Sequence, residues 1–237
     1  MSAVAEGRGL LAAALARVEG FLLEPAGPGR EERSPAPSLR RPVIAVFGLA
    51  RRCGATTVAR ALAAELAARD GGAAAVSSPV TAAGIPLASP AAVRLARALA
   101  DVPHARTRAV GRLCLVEGPS PLDLSDALRL EAPLVLDAGS EQVGGAAAAV
   151  ADHVVVVGVP ALPPGLASVV CGCLARVGPP PLVILNRADG DADREGRTGL
   201  ELPESRMGAQ FALGGREPRG ALGRAIAELA DTCAAPL

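Results

Sequence analysis

Apolar residues along this chain gather into short runs, and the segments between them carry helical spacing or turn residues. PVIAVF (42–47), AAAVSS (73–78), RLCLVEG (112–118), APLVLDAG (132–139), HVVVVGV (153–159) and PLVILN (181–186) are runs of strand length. PVIAVF is rich in β-branched residues and does not alternate with polar ones, which predicts a strand covered on both faces; HVVVVGV reads as a central strand and AAAVSS as a weak one. Helical patterns fall between and after them, over Thr56–Arg69, Ala91–Ala100, Leu122–Leu130, Leu166–Arg176 and Gly220–Cys233. The Asp70-Gly71-Gly72 step stops the first of these. Strands alternating with helices predict an α/β domain. Its sheet is doubly wound, mostly parallel and flanked by helices.

Ahead of this pattern, residues 9–23 place Leu10, Leu11, Leu15, Val18 and Leu22 on one helical stripe. The stripe predicts an amphipathic N-terminal helix. It packs on its own domain or docks on a partner protein, and it lacks the basic polar face of a membrane-surface helix. Residues 24–41, rich in proline, glycine and charge, predict a linker. The predicted organisation is helix 1–23, linker 24–41 and domain 42–237.

Composition narrows the function classes. The 237 residues hold 24 basic and 24 acidic side chains, so the formal net charge is zero. Neutrality, with no aromatic residues interleaved among basic ones, argues against a nucleic-acid binder. No apolar run is long enough for an integral membrane span. Glu6 and Glu19 interrupt any secretory apolar segment. Five cysteines without a disulfide spacing, and only His104 and His153 beside them, predict neither a disulfide framework nor a zinc site. A reduced, cytoplasmic protein is expected.

In a doubly wound sheet, ligands bind beyond the carboxyl ends of the strands. The first strand runs into Gly48-Leu49-Ala50-Arg51-Arg52-Cys53-Gly54-Ala55-Thr56-Thr57 and then a helix. Such a layout suits a phosphate-binding loop, with backbone N–H groups around an anion and a hydroxyl on magnesium. A plain strand–turn–helix with Thr56 or Thr57 as N-cap is the competing reading. The strand 132–139 ends at Asp137, where a carboxylate would hold a magnesium-bound water or cap a turn. The strand 181–186 ends at Asn186, whose amide offers a donor and an acceptor to a base edge, or forms a turn.

Taken in order, these segments resemble the MinD/ParA family of P-loop NTPases. The resemblance spans roughly residues 42–235, through VIAVFGLARRCGATTVARALA, LCLVEGPSPLDLSDALRLEAPLVLDAG, ADHVVVVGVP, LVILNRAD and LPESRMGAQFALGGREP. It implies a P-loop NTPase-like sheet, ATP or ADP bound with Mg2+, and a nucleotide-sandwiched homodimer. It implies Gly48 and Gly54 around the phosphates, Thr56 on the metal, and Thr57 on the α-phosphate; Arg51 and Arg52 lie in the same loop, where they either contact the anion or stay solvated. Asp137 would hold the metal-bound water, Asn186 the adenine, and Pro203 would line the base.

The chain departs from the family where charge is needed. Ala55 stands at the loop-lysine position and Ala50 at the signature-lysine position, and the sequence contains no lysine. The stretch Ser77-Ser78-Pro79-Val80-Thr81-Ala82-Ala83-Gly84 has no acid where the family carries an aspartate for the attacking water. Phosphoryl transfer depends on positioning and on stabilising negative charge. A nucleotide-binding regulatory or scaffolding protein with weak or no hydrolysis is therefore expected. Two alternatives stay open. One is a divergent ATPase using Arg51 or Arg52 in place of the lysine, although a guanidinium fork does not copy a lysine point charge. The other is an interaction module with no nucleotide.

Overall fold

The computed structural model describes residues 41–80, 87–128, 131–139, 145–188 and 199–234. The expected helix at 9–23, the linker before Arg41 and most of the charged segment 190–199 lie outside the described residues. Eight strands are β1 (Val43–Gly48), β2 (Ala74–Ser77), β3 (Arg106–Val110), β4 (Leu113–Glu117), β5 (Leu134–Gly139), β6 (His153–Gly158), β7 (Leu182–Asn186) and β8 (Leu200–Leu202). Seven helices are described: α1 (Ala55–Arg69), α2 (Pro90–Leu99), α3 (Pro121–Leu128), α4 (Gly145–Val150), α5 (Pro164–Leu174), α6 (Arg206–Leu213) and α7 (Gly220–Ala234).

The sheet order is β3-β4-β2-β5-β1-β6-β7-β8, and every pairing is parallel except β3 with β4. The expected doubly wound, mostly parallel α/β architecture is present. β1 sits near the centre, between β5 and β6. Its residues divide between two cores: Ile44 and Val46 enter one, and Val43, Ala45 and Phe47 the other. Helices cover both faces, so the strand is apolar without alternation.

Helix α1 is the main cover of the first core. Most of its length is buried, including Val58, Leu62 and Leu66. Alanine suits this position twice, because it favours the helix and lets it lie close to the sheet. Beyond Arg69 the chain turns through Asp70 and Gly71, which has φ +64, and Gly72 N donates to Ala67 O at 3.0 Å. Arg69 ties this end to α7, donating to Asp231 Oδ1 and to the Ala227 carbonyl, both at 2.6 Å.

Several elements were not expected. β3 falls between the helical pattern Ala91–Ala100 and the run 112–118, where the hydrophobic pattern predicted no element. Arg106 and Arg108 are exposed strand residues at the sheet edge, with Thr107, Ala109 and Val110 partly or fully buried between and after them. An edge strand carrying charge resists pairing with another chain, and its short apolar content hid it in the sequence. It joins β4 through Gly111, whose φ is +56. A Cβ there would collide with the Gly215 carbonyl, so the turn packs on the backbone that follows α6. β8, α4 and α6 are also short. α6 begins at a Ser205 N-cap, whose Oγ accepts from Gly208 N at 3.0 Å.

Candidate functional site

The loop after β1 is held by backbone contacts and by two glycines. Leu49 N donates to Val157 O on β6 at 2.9 Å, which fixes the loop entry. A Cβ on Gly48 would lie 2.8 Å from Cys53 Sγ, so only glycine lets the buried Cys53 fold back over the strand end. Gly54 caps α1 in the left-handed region, with φ +94 and no side-chain cap. Neither threonine is therefore the N-cap. Arg52 also has positive φ, at 62. Arg51 and Arg52 are exposed, whereas Thr56 and Thr57 are half-buried on the first turn of α1.

Parallel pairing sets Asp137 beside this loop. In register, Val46 of β1 faces Asp137 of β5, and Phe47 faces Gly139, so Ala138 is bulged out. A bulge at a strand end re-aims the side chains next to it. The Thr56 hydroxyl hydrogen-bonds the Asp137 carboxylate. The Ser78 Oγ donates to Asp137 Oδ2 at 3.3 Å. Asp137 Oδ1 is buried without a hydrogen-bond partner. Burial raises the Asp137 carboxyl above the ordinary carboxylate range, against the opposing effects of Thr56, the Gly139 N–H, Ser78 and the Arg60 charge.

Asn186 joins the same cluster from β7. Its Nδ2 donates to the Cys53 carbonyl at 2.8 Å. A Cβ on Gly54 would collide with that same nitrogen. The structure thus brings Gly48, Arg51, Arg52, Gly54, Thr56 and Thr57 together on one loop and helix start, with Asp137 against Thr56 and Asn186 against Cys53. Pro203 follows Leu202, the β8 residue paired with Asn186, so it stands at the same end of the sheet.

Sequence reasoning missed two members. Arg60, on α1, is 3% exposed. Its Nη2 donates to Ser78 Oγ at 3.3 Å and to Pro79 O at 3.1 Å, and its Nη1 to Leu213 O at 3.5 Å. Burial lowers its pKa and attraction to Asp137 raises it; a guanidinium stays charged under such shifts. Ser78 stands in the acid-free stretch after β2, and its hydroxyl links Arg60 to Asp137. The signal for Arg60 was its setting in VARALAA: a helix apolar all round leaves a charge no solvent face.

No group of three or more His, Cys, Asp or Glu among the described residues is placed to hold a metal ion. A hydrated Mg2+ needs less from the protein, because waters and phosphate oxygens complete its shell. The Thr56 hydroxyl and the adjoining Asp137 carboxylate, whose Oδ1 has no hydrogen-bond partner, fit it, and Thr56 and Asp137 would hold it. When bound it would offset phosphate charge.

No family model matches this chain, and no curated protein matches it. Solved structures do. A ParA family ATPase from Chlorobium tepidum TLS is 19% identical with a TM-score of 0.54, over 80% of this chain and 98% of that one. The MinD cell division protein of Aquifex aeolicus is 17% identical with a TM-score of 0.56, over 81% and 96%. The MinC:MinD cell division protein complex of Aquifex aeolicus gives 16% identity and a TM-score of 0.53, over 82% and 98%. The domain has a P-loop NTPase-like α/β fold of the MinD/ParA kind. No helix among the described residues is long and apolar enough to cross a membrane.

Proposed function

We propose that this protein binds ATP or ADP with little or no hydrolysis, and that it acts as a regulatory or scaffolding partner. The observation that carries this reading is the convergence of three strand ends. The Gly48–Thr57 loop, Asp137 and Asn186 meet in one place, while Ala50, Ala55 and the acid-free sequence 77–84 stand where charge would drive cleavage. In this reading Thr56 and Asp137 hold Mg2+, Thr57 and the loop N–H groups take the phosphates, and Arg51 and Arg52 add positive charge from the loop. Asn186 and Pro203 line the base. Loss of a single electrostatic donor lowers rates by roughly 100–1000-fold, and this site lacks more than one.

A protein partner suits the loss of turnover, and residues 9–23 are the proposed docking element. A solved MinD of this fold is in complex with MinC, which supports partner binding as a use of the fold. The absence of the signature lysine at Ala50 weakens the case for an ATP-driven homodimer. The cytoplasm is the proposed location.

The test is calorimetric titration of the full chain with ATP and ADP, together with a phosphate-release assay. Saturable heat that Thr57→Ala weakens, without turnover, is the expected result. Ala55→Lys should raise affinity by about tenfold, since a lysine at this position reaches the phosphates. Turnover abolished by replacing Arg51 and Arg52 with alanine would establish the divergent ATPase instead. Absence of heat with either nucleotide would leave the interaction module.

A further inference from the structure

Arg60 reaches three separate parts of the domain from one buried position. It meets the end of β2 through Ser78 and Pro79, the end of α6 through Leu213, and β5 through Ser78 to Asp137. The Leu213 and Pro79 carbonyls carry only partial charge, and Asp137 is the acid whose charge acts on it. A guanidinium buried this deeply needs a counter-charge. The acceptors on both Nη atoms also hold it in place, so it cannot swing aside for another cation. Asp137 therefore faces a cation before any metal arrives.

We propose that Arg60 is a resident counter-cation for Asp137, so that the site takes a nucleoside di- or triphosphate without requiring a divalent metal. The proposal rests on the nucleotide-binding reading above. A fixed positive charge, linked to the carboxylate through one hydroxyl, repels a second cation strongly in a site of low dielectric. The same charge, unlike a dissociable metal, is present in every molecule. Thr56 and Asp137 can still accept Mg2+, but its contribution to affinity is small while Arg60 is there.

The experiment is calorimetric titration of the full chain with ATP, once in Mg2+ and once in EDTA. The two affinities are expected to agree within about threefold. Arg60→Gln keeps an amide donor and removes the charge; with it, Mg2+ should strengthen binding by about tenfold or more. Arg60→Lys keeps the charge and should keep the indifference to metal, which a purely packing role for Arg60 would not produce. Wild-type protein that loses about tenfold or more in EDTA overturns the proposal, and this comparison holds even where a variant fails to fold. An Arg60→Gln protein as indifferent to Mg2+ as the wild type overturns it as well. If ATP gives no heat in either buffer, the nucleotide reading fails, and Mg2+ alone then decides about Arg60. Millimolar Mg2+ should raise the melting temperature of Arg60→Gln and leave the wild type unchanged, whereas equal responses would refute the counter-cation role.

Discussion

Asn186 Nδ2 donates to the Cys53 carbonyl at 2.8 Å, and the absence of a side chain on Gly54 makes room for it. Two constraints meet at Gly54. Its φ of +94 disfavours any L side chain, and its missing Cβ is where the Asn186 amide lies. β7 thereby clamps a loop that belongs to β1, two strands away across β6. One donor of the Asn186 amide is thereby committed to the loop.

Gly54→Ala should destabilise the domain by about 2 kcal/mol from backbone strain and collision together. A domain of this size should then melt roughly 4–8 °C lower. Asn186→Ala loses one hydrogen bond, about 1 kcal/mol. In the double variant the collision is gone and only the strain and the lost bond remain, so the loss should be smaller than the sum of the two. Thermal melts of the four proteins form the cycle. Strictly additive losses would mean that the two residues do not meet.

The cysteines give a second prediction. Burial pushes the Cys114 and Cys233 thiols up to about 12, and Cys53 is also buried. A protonated, enclosed thiol is a poor nucleophile. Cys173 is exposed and Cys171 is intermediate, with its thiol raised by burial. Labelling the native protein with an alkylating reagent near pH 8 should therefore modify Cys173 first. Cys53, Cys114 and Cys233 should react only after denaturation, as peptide mapping by mass spectrometry can show. Rapid native labelling of Cys53 would mean that the loop opens in solution.

The sequence made the fold legible because its central strands are buried on both faces. Runs such as VIAVF and HVVVV have no other stable use in a chain with helices between them. β3 escaped because RTRAV is an edge strand with two exposed arginines, and such a segment looks like a loop. The strand ends were legible as a set: the loop glycines, Asp137 and Asn186 do converge. What each side chain does there was less legible. An asparagine at a strand end can serve a ligand or a neighbouring loop, and only distance separates the two. Arg60 was overlooked for the opposite reason, since charged residues on helices usually face solvent. The apolar surroundings on every side of α1 marked it as different. Its role as the charge opposite Asp137 depends on the pairing of β2 with β5, which spacing along the chain does not encode.

The third prediction concerns acid and lies far from the loop. His153 opens β6, where it pairs with Ile44, and the neighbouring Asp152 accepts from Val43 N at 2.9 Å through its Oδ2. Burial lowers the His153 pKa below its ordinary 6.5, while the Asp152 charge pulls the other way and does not prevail. The folded state therefore binds this proton less readily than the unfolded chain. Between the unfolded pKa and the lower folded one, the unfolded chain holds more protons, so stability falls as pH falls. Above the unfolded pKa the residue contributes no pH dependence; below the folded one the full penalty is present. Carboxylates elsewhere also respond to acid, so the informative quantity is the difference between wild type and His153→Gln. Urea titrations from pH 7.5 down to 5 should show the wild type losing stability more steeply, with the two curves running parallel above about pH 7. A His153→Gln protein with the wild-type slope across that range would show that the imidazole titrates as it does in the unfolded chain.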